Sequence, residues 1–143
     1  MLTDREGLEV LAEDECLALL DTTDLGRIAV TIGAVPAIFP VNFRVIDGQI
    51  VFRTGKGTKL HHASESAVVA FEADGVDPAT HNGWSVLAVG VAKEEHDHDR
   101  AQAALSVLPL PWAPGTRHHV IAIVPEFVSG RRIVPVERPS GRG

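Results

Sequence analysis

The chain has 143 residues, 45% of them hydrophobic and 22% charged, the balance of one globular domain with its own core and not of a disordered chain. A single cysteine, Cys16, excludes a disulfide framework and a four-thiolate zinc site. A formal net charge of −6 excludes a global basic stripe for nucleic acid, and no run of about 18 apolar residues exists to span a membrane as a helix. The opening MLTDREGLEV has no apolar run behind a basic patch, so no signal peptide is read and a cytoplasmic location is expected.

In chain order, acidic Glu13, Asp14 and Glu15 followed by Cys16, Leu17, Leu19 and Leu20 predict a short helix over about 13–21. GRIAVTI (26–32) is β-branched and reads as a strand. Gly33 to Pro36 reads as a turn, and AIFPVNFRVI (37–46) as a second strand with Pro40 at a bulge or an edge. Asp47-Gly48 is a type I′ hairpin signal leading into QIVFRT (49–54). A loop at 55–59 opens a short helix over 58–64, followed by a strand at 66–74 and a turn-rich loop at 75–83. A long strand at 84–95 carries Gly90 as a bend. HDHDRAQAALSVL (96–108) predicts a helix with Asp97 or Asp99 near its start, and three prolines within 109–115 exclude regular structure there. Strands are predicted at 118–125 and 127–136, the second broken by Gly130, with a disordered tail at 137–143. Six or seven short strands and two or three helices in this order predict a mainly β fold, a small antiparallel barrel, in a single domain over 1–136.

The strongest chemical signal is Arg53-Thr54-Gly55-Lys56-Gly57-Thr58-Lys59, between a strand end and a helix start. Only three lysines occur against ten arginines, and two of the three lie here. Glycines let backbone approach a ligand, and amides, a hydroxyl and cations suit a phosphate. The spacing is neither that of a Walker loop nor that of a dinucleotide glycine fingerprint. The plainer reading is a solvated, charged turn.

The order of ECLALLDTTDLGRIAV (15–30), PVNFRVIDGQIVFRTGKGTKL (40–60), AVVAFEAD (67–74), GWSVLAVGVA (83–92) and PWAPGTRHHVIAIVPEFVSGRRI (111–133) resembles the pyridoxamine 5′-phosphate oxidase-like family of FMN-binding split barrels, most closely its small bacterial, nitroimidazole-resistance-like branch. The resemblance implies a six- to seven-stranded split barrel, a homodimer, and FMN at the interface. It implies that Val41 and Asn42 contact the flavin ring partly through backbone. It implies that Arg53 and Thr54 reach the ring edge or ribityl chain, and that Thr58 and Lys59, helped by Lys56, hold the 5′-phosphate. The further arginine- and glutamine-bearing motifs for pyridoxamine phosphate are missing, so oxidation of that substrate is not implied. The implied function is a flavin-dependent oxidoreductase acting on a small molecule. The alternatives are a reductase using the deazaflavin coenzyme F-420, or non-catalytic binding of flavin or haem.

Other residues carry two readings. Trp84 and Trp112 either fill core or interface or form an aromatic wall for a flavin. The histidines, His61, His62, His81, His96, His98, His118 and His119, read as exposed. Adjacent pairs on a strand point to opposite faces, so no metal site is expected, and His61 or His62 is at most a pocket-lining residue. Cys16 reads as a buried small hydrophobe, Glu72 as a partner of an arginine, and Arg131-Arg132 as an exposed pair with one arginine free to pair across an interface.

Overall fold

The computed structural model describes residues 2–133; the tail at 137–143 and the end of the last predicted strand lie outside them. In chain order the elements are β1 (Leu2–Thr3), β2 (Glu9–Leu11), α1 (Glu13–Leu20), β3 (Leu25–Ile32), β4 (Val35–Ile46), β5 (Gln49–Thr54), α2 (Lys59–Ala63), β6 (Ala67–Val76), β7 (Gly83–Glu94), α3 (His98–Val107) and β8 (His119–Ile133). No helix among them is long and apolar enough to cross a membrane.

Tight turns set the register. Asp47 and Gly48 stand at φ +50° and +75°, the type I′ backbone that matches strand twist, and β4 pairs β5 antiparallel from Phe43↔Phe52 to Ile46↔Gln49. Gly33 and Ala34 repeat the device at +54° and +68°. Ile32 therefore pairs directly with Val35, and β4 begins two residues earlier than the sequence suggested. Its stretch from Val35 to Asn42 pairs β3, but β5 reaches only from Phe43 onward. The first part of β4 is thus an open edge. Pro36 and Pro40 lie in it, where a missing N–H costs no ladder bond.

Six strands close on themselves in the order β8-β5-β4-β3-β6-β7, with β7 pairing back onto β8. β8 runs along β7 on one edge. Its other edge is shared between β5, from His119 to Ile123, and β2, from Gly130 to Arg132. The two strands expected at 118–125 and 127–136 are therefore one. Val89 faces Phe127 while Gly90 faces Pro125, so Glu126 is the extra residue of a bulge. The bulge moves the inward side from Ile121 and Ile123 to Val128 and Gly130. Gly130 does not break the strand either. A Cβ there would stand 2.6 Å from Cys16 Sγ, so this glycine lets α1 lie against β8. β1 and β2, of two and three residues, are too short to show a period and were not anticipated.

Phe43, Phe52 and Phe71 are fully buried inside the barrel, and Phe43 meets Phe71 edge to face with ring centroids 4.7 Å apart. Each buried ring contributes about 1.5–3 kcal/mol. Outside, α3 lays Ala101, Ala104 and Leu105 over Val51 and Val120. Asp97 caps that helix by accepting from the Arg100 N–H at 2.9 Å. The chain leaving α3 then crosses the end of β5 before entering β8.

Candidate functional site

The end of β5 feeds directly into a short loop. Thr58 closes it as the N-cap of α2, its Oγ1 accepting from the His61 N–H at 3.1 Å and donating to the Gly55 carbonyl at 3.0 Å. Facing this loop, the proline-rich segment after α3 has no ladder of its own, and side chains hold it. Arg53 Nη2 donates to the carbonyls of Leu108 and Pro109 at 3.2 and 2.7 Å. Asn42 Oδ1 accepts from the Trp112 N–H at 3.1 Å, while its Nδ2 donates to the Asp24 carbonyl at 3.2 Å. Arg117 Nη1 donates to the carbonyls of Ala113 and Pro114.

Between loop, segment and the open edge of β4 lies a pocket of about 250 Å³. Phe39, Pro40, Val41, Leu60, Pro109 and Pro111 give it apolar walls. Arg53, Lys59 and Arg117 also line it, and among the described residues no carboxylate does. Among the described residues Lys59 pairs with no acid. Burial pulls the Arg53 guanidinium below its ordinary pKa. Arg53 Nε and Thr54 Oγ1 are buried without a hydrogen-bond partner. Each such orphan costs about 1–3 kcal/mol, so the pocket wall holds polar atoms that a polar ligand would satisfy.

Of the eight residues singled out in the sequence, Val41, Asn42, Arg53, Thr54, Thr58 and Lys59 come together around this pocket. Lys56 and Trp84 do not line it. Lys56 is exposed in the loop. Trp84 pairs with Gly75 and Arg132 near the other end of β8, packs against the barrel core, and depends on Gly75, where a Cβ would stand 2.6 Å from its Nε1. The side chain of Asn42 is engaged by Trp112 and Asp24, which leaves its backbone for a ligand. Arg117, Phe39, Leu60, Pro109 and Pro111 were missed. Their signal was the proline-rich segment, whose path over β5 no local pattern reveals. Trp112 itself is 69% exposed beside the pocket, so it fills no core within the chain.

Elsewhere the plainer readings of Cys16 and Glu72 hold, whereas Arg131 and Arg132 are half-buried and not the exposed pair expected. Cys16 is buried, and burial raises its thiol pKa. Arg27 pairs with Glu72 at 3.2 Å; burial, reinforced by Asp74, raises the Glu72 carboxyl. Arg131 and Arg132 pair within the chain, with Asp4 and Glu9 at 2.9 and 3.6 Å.

The histidines need a correction. His61 is buried, lies outside the pocket wall, and meets Glu94 Oε1 through its Nε2. His119 Nδ1 lies 3.3 Å from Glu94 Oε2, and exposed His96 lies 3.4 Å from the same oxygen. His118 and His119 indeed do not converge, but His61, Glu94 and His119 do, from α2, β7 and β8. Burial alone would raise the Glu94 carboxyl; the hydrogen bonds of His61 and His119 outweigh it and hold the group below its usual value.

Fold and pocket together define an antiparallel barrel with a cationic, half-apolar recess at its rim. Residues 12–132 match the family model described as pyridoxamine 5′-phosphate oxidase, and the chain belongs to that family. The uncharacterized protein Rv0080 of Mycobacterium tuberculosis is 42% identical over 139 residues, covering 94% of this chain and 90% of its own. The structure of the FAD binding protein from Mycobacterium smegmatis is 39% identical, with a TM-score of 0.73 over 86% of this chain and 96% of that one. A conserved protein of unknown function from Corynebacterium diphtheriae is 29% identical, with a TM-score of 0.73 over 89% and 98%.

Proposed function

We propose that this protein binds a flavin and acts as a flavin-dependent oxidoreductase on a small molecule. The charge of the pocket carries the reading. Arg53, Lys59 and Arg117 line it with no carboxylate among the described residues, in a chain of net charge −6. That concentration of cations suits the phosphate of a ribityl chain. Lys59 and the loop at Gly55 would hold the phosphate. Phe39, Pro40, Val41 and Leu60 would shield the ring from water, and the open edge of β4 would offer it unpaired backbone groups. Arg53 Nε and Thr54 Oγ1 would gain the partners that they lack. Once bound, the flavin supplies the hydride and electron transfer; the chain binds it, orients it and excludes water.

The resemblance in the sequence implied FMN. The relative from M. smegmatis is an FAD binding protein, which moves the choice toward FAD; both carry the ribityl phosphate. The test is the absorption spectrum of the purified protein with the mass of the released cofactor. Flavin bands and an FAD mass are expected. An FMN mass would keep the flavin and overturn FAD. A deazaflavin mass or a haem Soret band would replace the reading with coenzyme F-420 or haem binding, and a protein that takes up no flavin at all would end it.

We infer further that the working form is a homodimer. Along the outer face of the barrel, Ile38, Ala29, Ala70, Val89 and Phe127 form one lateral row across five strands, and Val68, Val91 and Val124 form the next. Ile38 is 69% and Phe127 54% exposed. A contiguous apolar face on this scale favours burial against a second copy, and it runs into the same β4 edge that borders the pocket. Sedimentation should give a dimer for the native chain and a monomer for the double variant Val68→Glu, Phe127→Glu. A native monomer would remove this inference.

A further inference from the structure

The cluster behind the pocket loop has no part in flavin binding as proposed, and its residue types are ones that can hold a metal ion. His61, Glu94 and His119 each present one ligand atom, and these atoms lie within 4.8 Å of one another. Two imidazoles and one carboxylate form a familiar ligand set for zinc, leaving a fourth position open. Zinc bonds of about 2.0–2.1 Å at tetrahedral angles place neighbouring donor atoms about 3.3 Å apart; His119 Nδ1 stands 3.3 Å from Glu94 Oε2, and His61 Nε2 meets the other oxygen, Oε1. Rigid elements hold the donors. His119 is fixed by its pairing with Thr54; Glu94 is fixed by its pairing with Ile121; His61 follows the Thr58 cap of α2.

The charge balance points the same way. The Glu94 side chain is only 12% exposed, and among the described residues no lysine or arginine pairs with it. A buried carboxylate is costly unless a cation or strong donors compensate it. His61 and His119 supply hydrogen bonds to it; a divalent ion would supply positive charge as well.

We propose that His61 Nε2, Glu94 and His119 Nδ1 bind a divalent transition metal, with zinc the ion whose preferences fit best and water in the fourth position. The inference does not depend on the flavin. It has one structural consequence. His61 Nδ1 now accepts from the Gly57 N–H at 3.3 Å. With zinc on Nε2, the neutral ring carries its proton on Nδ1, so that long hydrogen bond is lost and Gly57 turns. Gly57 stands at φ +72° with nothing within 4 Å of a would-be Cβ, so it has room to turn. Metal occupancy is therefore mechanically connected to the loop that borders the pocket.

The test is titration of the chelator-stripped, full-length protein with zinc chloride against a chromophoric competitor. Expected is one zinc per chain with a Kd of about 1 µM or tighter, weakened at least about tenfold in Glu94→Gln and in His119→Ala and unchanged in His98→Ala, whose side chain is exposed on α3. Circular dichroism identifies any variant that fails to fold. Cobalt titration of the native chain gives a readout without variants: intense visible absorption of tetrahedral cobalt is expected. No stoichiometric zinc, equal affinity in the folded Glu94→Gln and His119→Ala proteins, or only octahedral cobalt absorption would overturn the site.

Discussion

Gly90→Ala is expected to cost at least about 3 kcal/mol of stability, a large part of the roughly 5–15 kcal/mol that holds a domain together. A Cβ on residue 90 would stand 1.9 Å from the Val124 carbonyl oxygen and 3.0 Å from Pro125 Cα. Both neighbours are backbone, so no side-chain rotation relieves the overlap. The collision falls at the bulge, where Glu126 is left unpaired and β8 exchanges its inward face. Relief would require β7 and β8 to separate, which opens the barrel where it closes. Urea denaturation should show a large fall in midpoint, or the variant should be insoluble. An unfolding free energy within about 0.5 kcal/mol of the native value, the range of neutral surface changes, would show that the barrel closes differently.

Lys59→Ala carries the second large effect. Lys59 is the one pocket cation with no protein partner described, since Arg53 and Arg117 are engaged by carbonyls of the proline-rich segment. Its loss removes a point charge without dismantling the pocket wall. A charged hydrogen bond is worth about 1.5–3 kcal/mol, so flavin affinity should fall roughly 10- to 150-fold with stability unchanged. Fluorescence titration of native and variant apoprotein measures it. Equal affinities would take Lys59 out of the site. Arg53→Ala is a poorer probe, because it also releases the segment after α3.

Much of this was legible because local chemistry dictates it. Asp47-Gly48 marks a hairpin wherever it lies between alternating apolar residues, and the chain follows it. Gly90 was read as a bend, and the register shift falls there. The capping choice between Asp97 and Asp99 is resolved by the Arg100 amide in favour of Asp97. The failures share a cause: they depend on what distant strands bring together. Glu126 looks like the end of a strand, because a bulge and a break both interrupt the two-residue period. Gly130 looks like a breaker until Cys16 is placed upon it. Glu94 carries no local sign that two histidines, thirty-three and twenty-five positions away, will meet it. Trp84 carried both a core reading and an aromatic-wall reading, and the barrel places it against the core over Gly75.

The recess between β5, α2 and the segment after α3 is proposed to seat the phosphate of a flavin. The most direct measurement compares riboflavin with FMN and FAD on the native apoprotein, since riboflavin has the same ring and ribityl chain but no phosphate. Riboflavin is expected to bind at least about 100-fold more weakly than the tighter of the other two, the loss of about two charged hydrogen bonds. Equal affinity for all three would contradict it, because the cations of this pocket would then contribute nothing to binding.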